Sequence, residues 1–304
     1  MTTDETWKSI AQTDLGILLG KWRPLSGGDF AQSYTATVIA REAGAANNPA
    51  LAAGTQVFIK THATPPPNHF STEAQGLQWL AQTNTVRVPE VLGVSDEAPY
   101  LAIAWVEEAP GAQTTPDGEA EFGRQLAAMH RFVCNSFGRE DERSTGSLGL
   151  QNAPFDNWPD FYATQRLLPL ARIAAERHAL SAKTISAIES LAAHLDQWVS
   201  PTVNPSRLHG DLWAGNRLVD TNGHSWIIDP ASHGGHREFD LAMMRLFGGY
   251  GDTCFSAYNE MFPLDENWQE RIALHQLAPL IVHAIKFGHA YVGPIEDALA
   301  GYGF

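Results

Sequence analysis

Apolar positions along the first hundred residues change period twice. Residues 7–20, from Trp7-Lys8-Ser9-Ile10 to Leu18-Leu19-Gly20, carry helical spacing and end on glycine, which predicts a short amphipathic helix. Trp22 to Val38 then reads as a strand, a glycine-rich turn at Ser26-Gly27-Gly28 and an alternating strand. Residues 42–54 are small and polar and predict a hairpin loop, after which Val57-Phe58-Ile59-Lys60 is a strand ending in lysine. Pro65-Pro66-Pro67 precedes a helix expected to begin near Thr72, with its hydroxyl as cap and Gln75 three residues on. In that helix Glu73, Leu77 and Leu80 share one face, so the carboxylate points where leucines are buried and needs a cationic partner. Lys60 is the candidate. Residues 88–94 and 100–107 read as two more strands.

From Glu119 onwards the period becomes helical. Phe122, Leu126 and Met129 lie on one stripe, with His130 a satisfied structural residue; further helices are expected from Trp158, over 182–199, from Arg237 and around 268–292. The change at Glu107-Glu108-Ala109-Pro110-Gly111 predicts an α+β, two-lobed fold: a β-rich N-terminal lobe over 1–107 and a mainly helical C-terminal lobe over 108–304.

The stretch that organises the rest is Leu208-His209-Gly210-Asp211-Leu212-Trp213-Ala214-Gly215-Asn216, followed by Arg217-Leu218-Val219, an Asn222-Gly223 turn and Trp226-Ile227-Ile228-Asp229-Pro230. Alternation out to an Asn-Gly turn and back is how a short hairpin is written. The hairpin is expected to bring Asn216 and Asp229 face to face with Asp211 beside them. That gives two hard oxygen ligands suited to Mg²⁺ and a third carboxylate for proton work. Asp-x-x-x-x-Asn, a hairpin, then Asp is the catalytic-loop layout of protein-kinase-like phosphotransferases. Lys60 with Glu73 matches the phosphate-binding pair of that fold, and Ser26, Gly27 and Gly28 its phosphate loop. The adenine of ATP is expected against the backbone of Trp105, Val106 and Glu107. His-Gly-Asp in place of His-Arg-Asp, and Asp-Pro in place of Asp-Phe-Gly, point to small-molecule kinases rather than protein kinases.

Composition narrows the partners. The chain has 304 residues, 44% of them hydrophobic, and a net charge of −14, which argues against nucleic acid. No apolar run is long enough to cross a bilayer, and Met1-Thr2-Thr3-Asp4-Glu5 lacks the basic start of a secretion signal, so a cytoplasmic location is expected. Cys134 and Cys254 fit neither a disulfide framework nor a metal site. The cluster His224, His233 and His236 invites a zinc reading but lacks the spacing of a helical zinc motif.

The 208–243 stretch, continuing through Pro230-Ala231-Ser232-His233-Gly234-Gly235-His236-Arg237-Glu238-Phe239-Asp240-Leu241-Ala242-Met243, resembles the fructosamine kinase (ketosamine-3-kinase) family. Leu246-Phe247-Gly248-Gly249-Tyr250, Phe287-Gly288-His289-Ala290-Tyr291, Phe70-Ser71-Thr72-Glu73 and Trp158-Pro159-Asp160-Phe161-Tyr162 are similar to it too, so the resemblance spans nearly the whole chain. His-Gly-Asp and Ile-Asp-Pro alone are shared with aminoglycoside and choline kinases. The resemblance implies a kinase-like fold and ATP-dependent phosphorylation of the 3-hydroxyl of fructosamines or ribulosamines. The adduct then breaks down and frees the amine, a deglycation activity. It implies Asp211 as base, Asn216 and Asp229 as Mg²⁺ ligands, and Lys60 and Glu73 on the ATP phosphates. Trp213 can stack on the sugar or pack internally, and His209 can contact substrate, orient the loop or simply pack. Asp240 either caps its helix or holds the catalytic loop's backbone. Two departures are Ala214, where many relatives have serine, and Asp29-Phe30, where some carry a cysteine that links subunits; a monomer is expected. The alternatives are an aminoglycoside- or choline-type kinase, a non-catalytic nucleotide-binding protein, and a metal-dependent hydrolase using His209, Asp211, Asp229 and His233.

Overall fold

The computed structural model describes residues 6–26, 30–42, 48–109, 111, 114–141, 143, 146 and 148–304. The chain divides into two compact units. One takes the chain up to Thr114, a short piece within 145–149, and Arg217–Ala231; the other takes Thr115–Ser144, Leu150–Asn216 and Ser232–Phe304.

The first unit is built on a five-stranded antiparallel sheet. Its strands are β1 (Ile17–Leu25), β2 (Gln32–Arg41), β3 (Gln56–Thr61), β4 (Val91–Ser95) and β5 (Tyr100–Ala104), in the order β1-β2-β3-β5-β4. Helix α1 (Thr6–Leu15) covers one face and α2 (His69–Ala81) the other. Period-two alternation decides what goes where. Val57 and Ile59 of β3 join Trp7, Ala11 and Leu15 of α1, as do Tyr100 and Ala102 of β5. Leu101 and Ile103 turn to Phe70, Ala74 and Leu77 of α2. Lys60, next in step after Ile59, is therefore delivered to the α2 side.

Two helix expectations in this unit need correction. Helix α1 stops at Leu15 because Gly16 takes φ 62°, and Ile17-Leu18-Leu19 belong to β1. Helix α2 begins at His69 rather than near Thr72, after Asn68 in a left-handed conformation. Thr72 lies inside the helix, its hydroxyl donating to the Asn68 carbonyl at 2.6 Å instead of capping.

The second unit is mainly helical. It holds α3 (Pro116–His130), α4 (Trp158–Tyr162), α5 (Leu168–Glu176), α6 (Ala182–Ala192), α7 (Glu238–Leu246), α8 (Asp252–Met261), α9 (Ile272–Phe287) and α10 (Val292–Gly301). Strand β6 (Ser206–Leu208) pairs antiparallel with the short strand His233–Gly235. Thr115 caps α3, its side chain accepting from the Gly118 N–H, with Pro116 in the first turn. Gly123 lets α3 lie against α8: a Cβ there would sit 2.1 Å from the Cys254 carbonyl oxygen. Helix α6 ends at Ala192 rather than at 199, giving way to a single 3₁₀ turn over Leu195–Gln197.

Pro279 sits inside α9 and cannot bond the His275 carbonyl. The Tyr162 hydroxyl fills the gap. It lies 2.8 Å from the Leu274 carbonyl and 3.3 Å from that of His275, and takes the Ala278 N–H at 3.2 Å.

Candidate active site

In the first unit the Lys60 ammonium donates to Glu73 Oε1 at 2.8 Å and to the Asp229 carboxylate. Burial lowers the pKa of this lysine, but the two carboxylates outweigh it and hold the value above the ordinary one. Burial pushes the Glu73 carboxyl up and Asp229 adds to this, while Lys60 opposes both. Lys60 and Glu73 are both buried; the Asp229 side chain is 38% exposed, the one member of the trio open to a ligand.

Asp229 arrives on the predicted hairpin. Arg217–Val219 pairs with Ser225–Ile227 in the register Arg217 to Ile227, Leu218 to Trp226 and Val219 to Ser225. Asp220 closes the turn by accepting the N–H groups of Asn222 and His224 at 2.9 and 3.0 Å, and Gly223 supplies a φ of 83°. The hairpin is sewn into the first unit: Ile227 N–H donates to the Arg87 carbonyl at 3.0 Å, and Ala109 N–H to that of Val219 at 2.9 Å. At its end Asp229 takes φ 54°, a left-handed conformation that costs a non-glycine residue about 1 kcal/mol and recurs at ligand clamps.

Ser26 directly follows β1, whereas Gly27 and Gly28 lie outside the described residues. Trp105, Val106 and Glu107 leave the end of β5, with the Trp105 indole N–H donating to Glu107 at 2.7 Å. Sequence reasoning missed an aromatic wall beside Lys60: Phe30 stacks on His62 with centroids 4.3 Å apart and leans on His69. Burial, then the Lys60 charge, pushes His69 down to about 4.

In the second unit β6 runs into the loop bearing Asp211. Asp240, in the first turn of α7, accepts the backbone N–H of His209 at 2.8 Å and of Gly210 at 2.9 Å. It also meets His130 Nε2 at 3.2 Å, and His130 Nδ1 meets the Tyr258 hydroxyl at 2.9 Å. Burial raises the Asp240 carboxyl, but His130 and these donors outweigh it and hold it below the usual carboxylate range. Of its two sequence readings, Asp240 thus takes the one that holds the loop. Gly210 needs its glycine, with φ 82°.

His209 is fully buried, and its Nδ1 accepts the Asp211 N–H at 3.2 Å. His209 thus lies in the interior, bonded to the backbone of the loop. Asn216 donates through Nδ2 to the Asp211 main-chain oxygen at 2.8 Å and to Oδ2 at 3.1 Å. The amide nitrogen is thereby committed as a donor, and the amide oxygen is an acceptor.

Trp213 is 38% exposed rather than packed away. Its ring lies so close over Gly215 that a Cβ there would come within 2.2 Å. The Leu246-Phe247-Gly248-Gly249-Tyr250 segment backs this loop. The Trp213 carbonyl accepts from the Tyr250 hydroxyl at 3.3 Å, the Phe247 and Trp213 rings meet nearly at right angles with centroids 6.1 Å apart, and a Cβ on Gly249 would fall 2.4 Å from that of Ala214.

His233 is buried and stacked on Phe161. His236, Glu238 and His275 bring their donor atoms within 4.8 Å of one another, yet both Glu238 oxygens accept from Arg271, at 2.6 and 2.8 Å. This is a buried ion-pair network, with Glu238 held below the usual carboxylate range despite its burial. No helix among the described residues is long and apolar enough to cross a membrane.

A family model described as fructosamine kinase matches residues 19–301. A probable ketoamine kinase of Enterococcus faecium is 30% identical over 94% of this chain and 96% of its own. The chloroplastic protein-ribulosamine 3-kinase of Arabidopsis thaliana is 32% identical over 77% and 72%. A crystal structure from Thermobifida fusca, described as a "putative fructosamine-3-kinase", superposes with a TM-score of 0.85 at 38% identity over 96% of each chain. The aminoglycoside phosphotransferase APH(4)-Ia, in a complex with ADP and hygromycin B, shares the kinase-like fold at a TM-score of 0.62 and 12% identity, over 98% of each chain.

Proposed function

The chain belongs to the fructosamine kinase family of phosphotransferases, and from that premise we propose that it transfers the γ-phosphoryl of ATP to the 3-hydroxyl of fructosamines or ribulosamines. The observation that carries this reading is the Lys60–Glu73 pair with Asp229 on the same ammonium. A lysine so held is a fixed positive charge for nucleotide phosphates, and the exposed Asp229 carboxylate is a hard ligand for a divalent cation.

Asp229 and Asn216 would hold Mg²⁺, a hard-oxygen set suited to that ion. Bound there, the ion would neutralise phosphate charge. Asp211 accepts the proton of the attacking hydroxyl and orients it, with Asn216 steadying its carboxylate. Trp213 offers its exposed face to the sugar. The Ser26-Gly27-Gly28 motif is assigned to the phosphates, and the backbone of 105–107 to adenine. The phosphorylated adduct then breaks down and frees the amine, so the physiological outcome is deglycation, carried out in the cytoplasm by a monomer.

The test is ADP release by the purified protein with Mg·ATP against ribulosyl-lysine, fructosyl-lysine, choline and an aminoglycoside. Turnover on the ketosamines is expected. Turnover on choline or the aminoglycoside alone would overturn the substrate assignment while keeping the chemistry.

A further inference from the structure

Exposed aromatic side chains scattered singly over a surface need no explanation. In the second unit exposed and half-buried rings form a continuous run that starts at the loop bearing Asp211. Trp213, two residues from Asp211, meets Phe247; Phe247 lies 4.9 Å from His283; and His283 lies 5.3 Å from Phe287 and 5.0 Å from Tyr291. Phe247 is 41% and Phe287 54% exposed. His283 is anchored in the middle, its Nδ1 donating to the Pro279 carbonyl at 2.7 Å.

We infer that Phe247, His283, Phe287 and Tyr291 receive the amine-side substituent of the acceptor, an alkylammonium with an apolar stem. This rests on the ketosamine reading above. The nitrogen of a ketosamine lies only a few bonds from its 3-hydroxyl. With that hydroxyl at Asp211 and the sugar on Trp213, the substituent on nitrogen continues along the surface next in line. Its chemistry matches that surface in two ways. A protonated secondary amine is attracted to the faces of Trp, Phe and Tyr rings, and a net charge of −14 favours a cation over an anion. The methylenes beyond it, as in a lysine side chain, gain by covering exposed ring area. The strip therefore selects long-chain glycated amines over short ones and acts through substrate binding.

The test is initial-rate kinetics with Mg·ATP on fructosyl or ribulosyl derivatives of methylamine, butylamine and hexylamine. It compares the natural protein with Phe287→Ala, Tyr291→Ala and, as a control, Leu18→Ala, whose side chain is exposed on β1 of the other unit. The expected result is a kcat/KM that rises about two- to fourfold per added methylene, carried by KM. Phe287→Ala and Tyr291→Ala should cut the hexyl-to-methyl ratio about fivefold or more, and Leu18→Ala should keep it. A flat chain-length profile in an active enzyme, or a ratio unchanged in both aromatic variants, would overturn the inference alone. Absence of turnover on every ketosamine would overturn the ketosamine reading and the inference with it.

Discussion

Asp240 accepts the backbone N–H of Gly210 at 2.9 Å, so a carboxylate in the first turn of α7 fixes the residue before the proposed base. The same group takes the His209 N–H and meets His130, and it is fully buried. Asp240→Asn replaces one acceptor oxygen with a donor among donors. Stability should fall by about 3 kcal/mol in urea titration, and kcat by roughly a hundredfold as the loop shifts. An unaltered kcat in the folded variant would show that the loop holds its place without this carboxylate.

Asp211→Asn keeps the shape of the loop and removes the proton acceptor. The expected loss in kcat is about 10²- to 10⁴-fold, with nucleotide affinity by calorimetry unchanged. Turnover at the natural rate would remove Asp211 from the proposed role.

Lys60→Met leaves the Glu73 carboxylate buried without the ammonium that it accepts from. Stability should drop by about 3 kcal/mol, and the further change Glu73→Gln should restore most of it. Phosphoryl transfer should remain at least tenfold impaired in both. Recovered activity in the double variant would mean that the pair serves folding alone.

Burial, aided by neighbouring His275, pushes His236 down to about 3, whereas the unfolded chain titrates near 6.5. Between those values the unfolded state binds a proton that the folded state refuses. Stability should therefore be complete above about pH 6.5 and decline as pH falls, by up to about 1.4 kcal/mol per unit from this residue. Urea midpoints measured from pH 7.5 to 4.5 should fall less steeply in His236→Asn; parallel curves would contradict the assignment.

Gly249→Ala introduces a methyl group 2.4 Å from the Ala214 Cβ at a backbone φ of 91°. The clash and the strained backbone together should cost about 1–3 kcal/mol of stability. Because Ala214 follows Trp213 in the proposed catalytic loop, acceptor KM should rise more than ATP KM. Equal effects on both substrates would indicate a general loosening instead.

The parts that were legible in the sequence share one property: each is written in local spacing. The hairpin from Arg217 to Ile227 follows from alternation around an Asn-Gly turn, and Lys60 meets Glu73 because a strand alternates by two and a helix repeats near four. What was missed depends on distant chain segments. The helical reading of 7–20 held to Leu15 and overran beyond it because Ile17 and Leu19 pair with β2, a tertiary partner that local periodicity does not reveal. The Phe30–His62 stack and the Tyr250 contact behind Trp213 likewise join residues far apart in the chain, as do the bonds of His130 to Asp240 and Tyr258. The full burial of His209 was not legible either, because spacing alone does not distinguish a histidine at the surface from one in the interior.

The Tyr162 hydroxyl lodged beside Pro279 couples two positions that are remote in the chain. A lineage that exchanged Pro279 for alanine would regain an N–H for the His275 carbonyl and lose its need for the phenol there. A lineage that exchanged Tyr162 first would strand that carbonyl in the core. Descent should therefore favour one order of change over the other, leaving chains with tyrosine and no proline more common than chains with proline and no tyrosine.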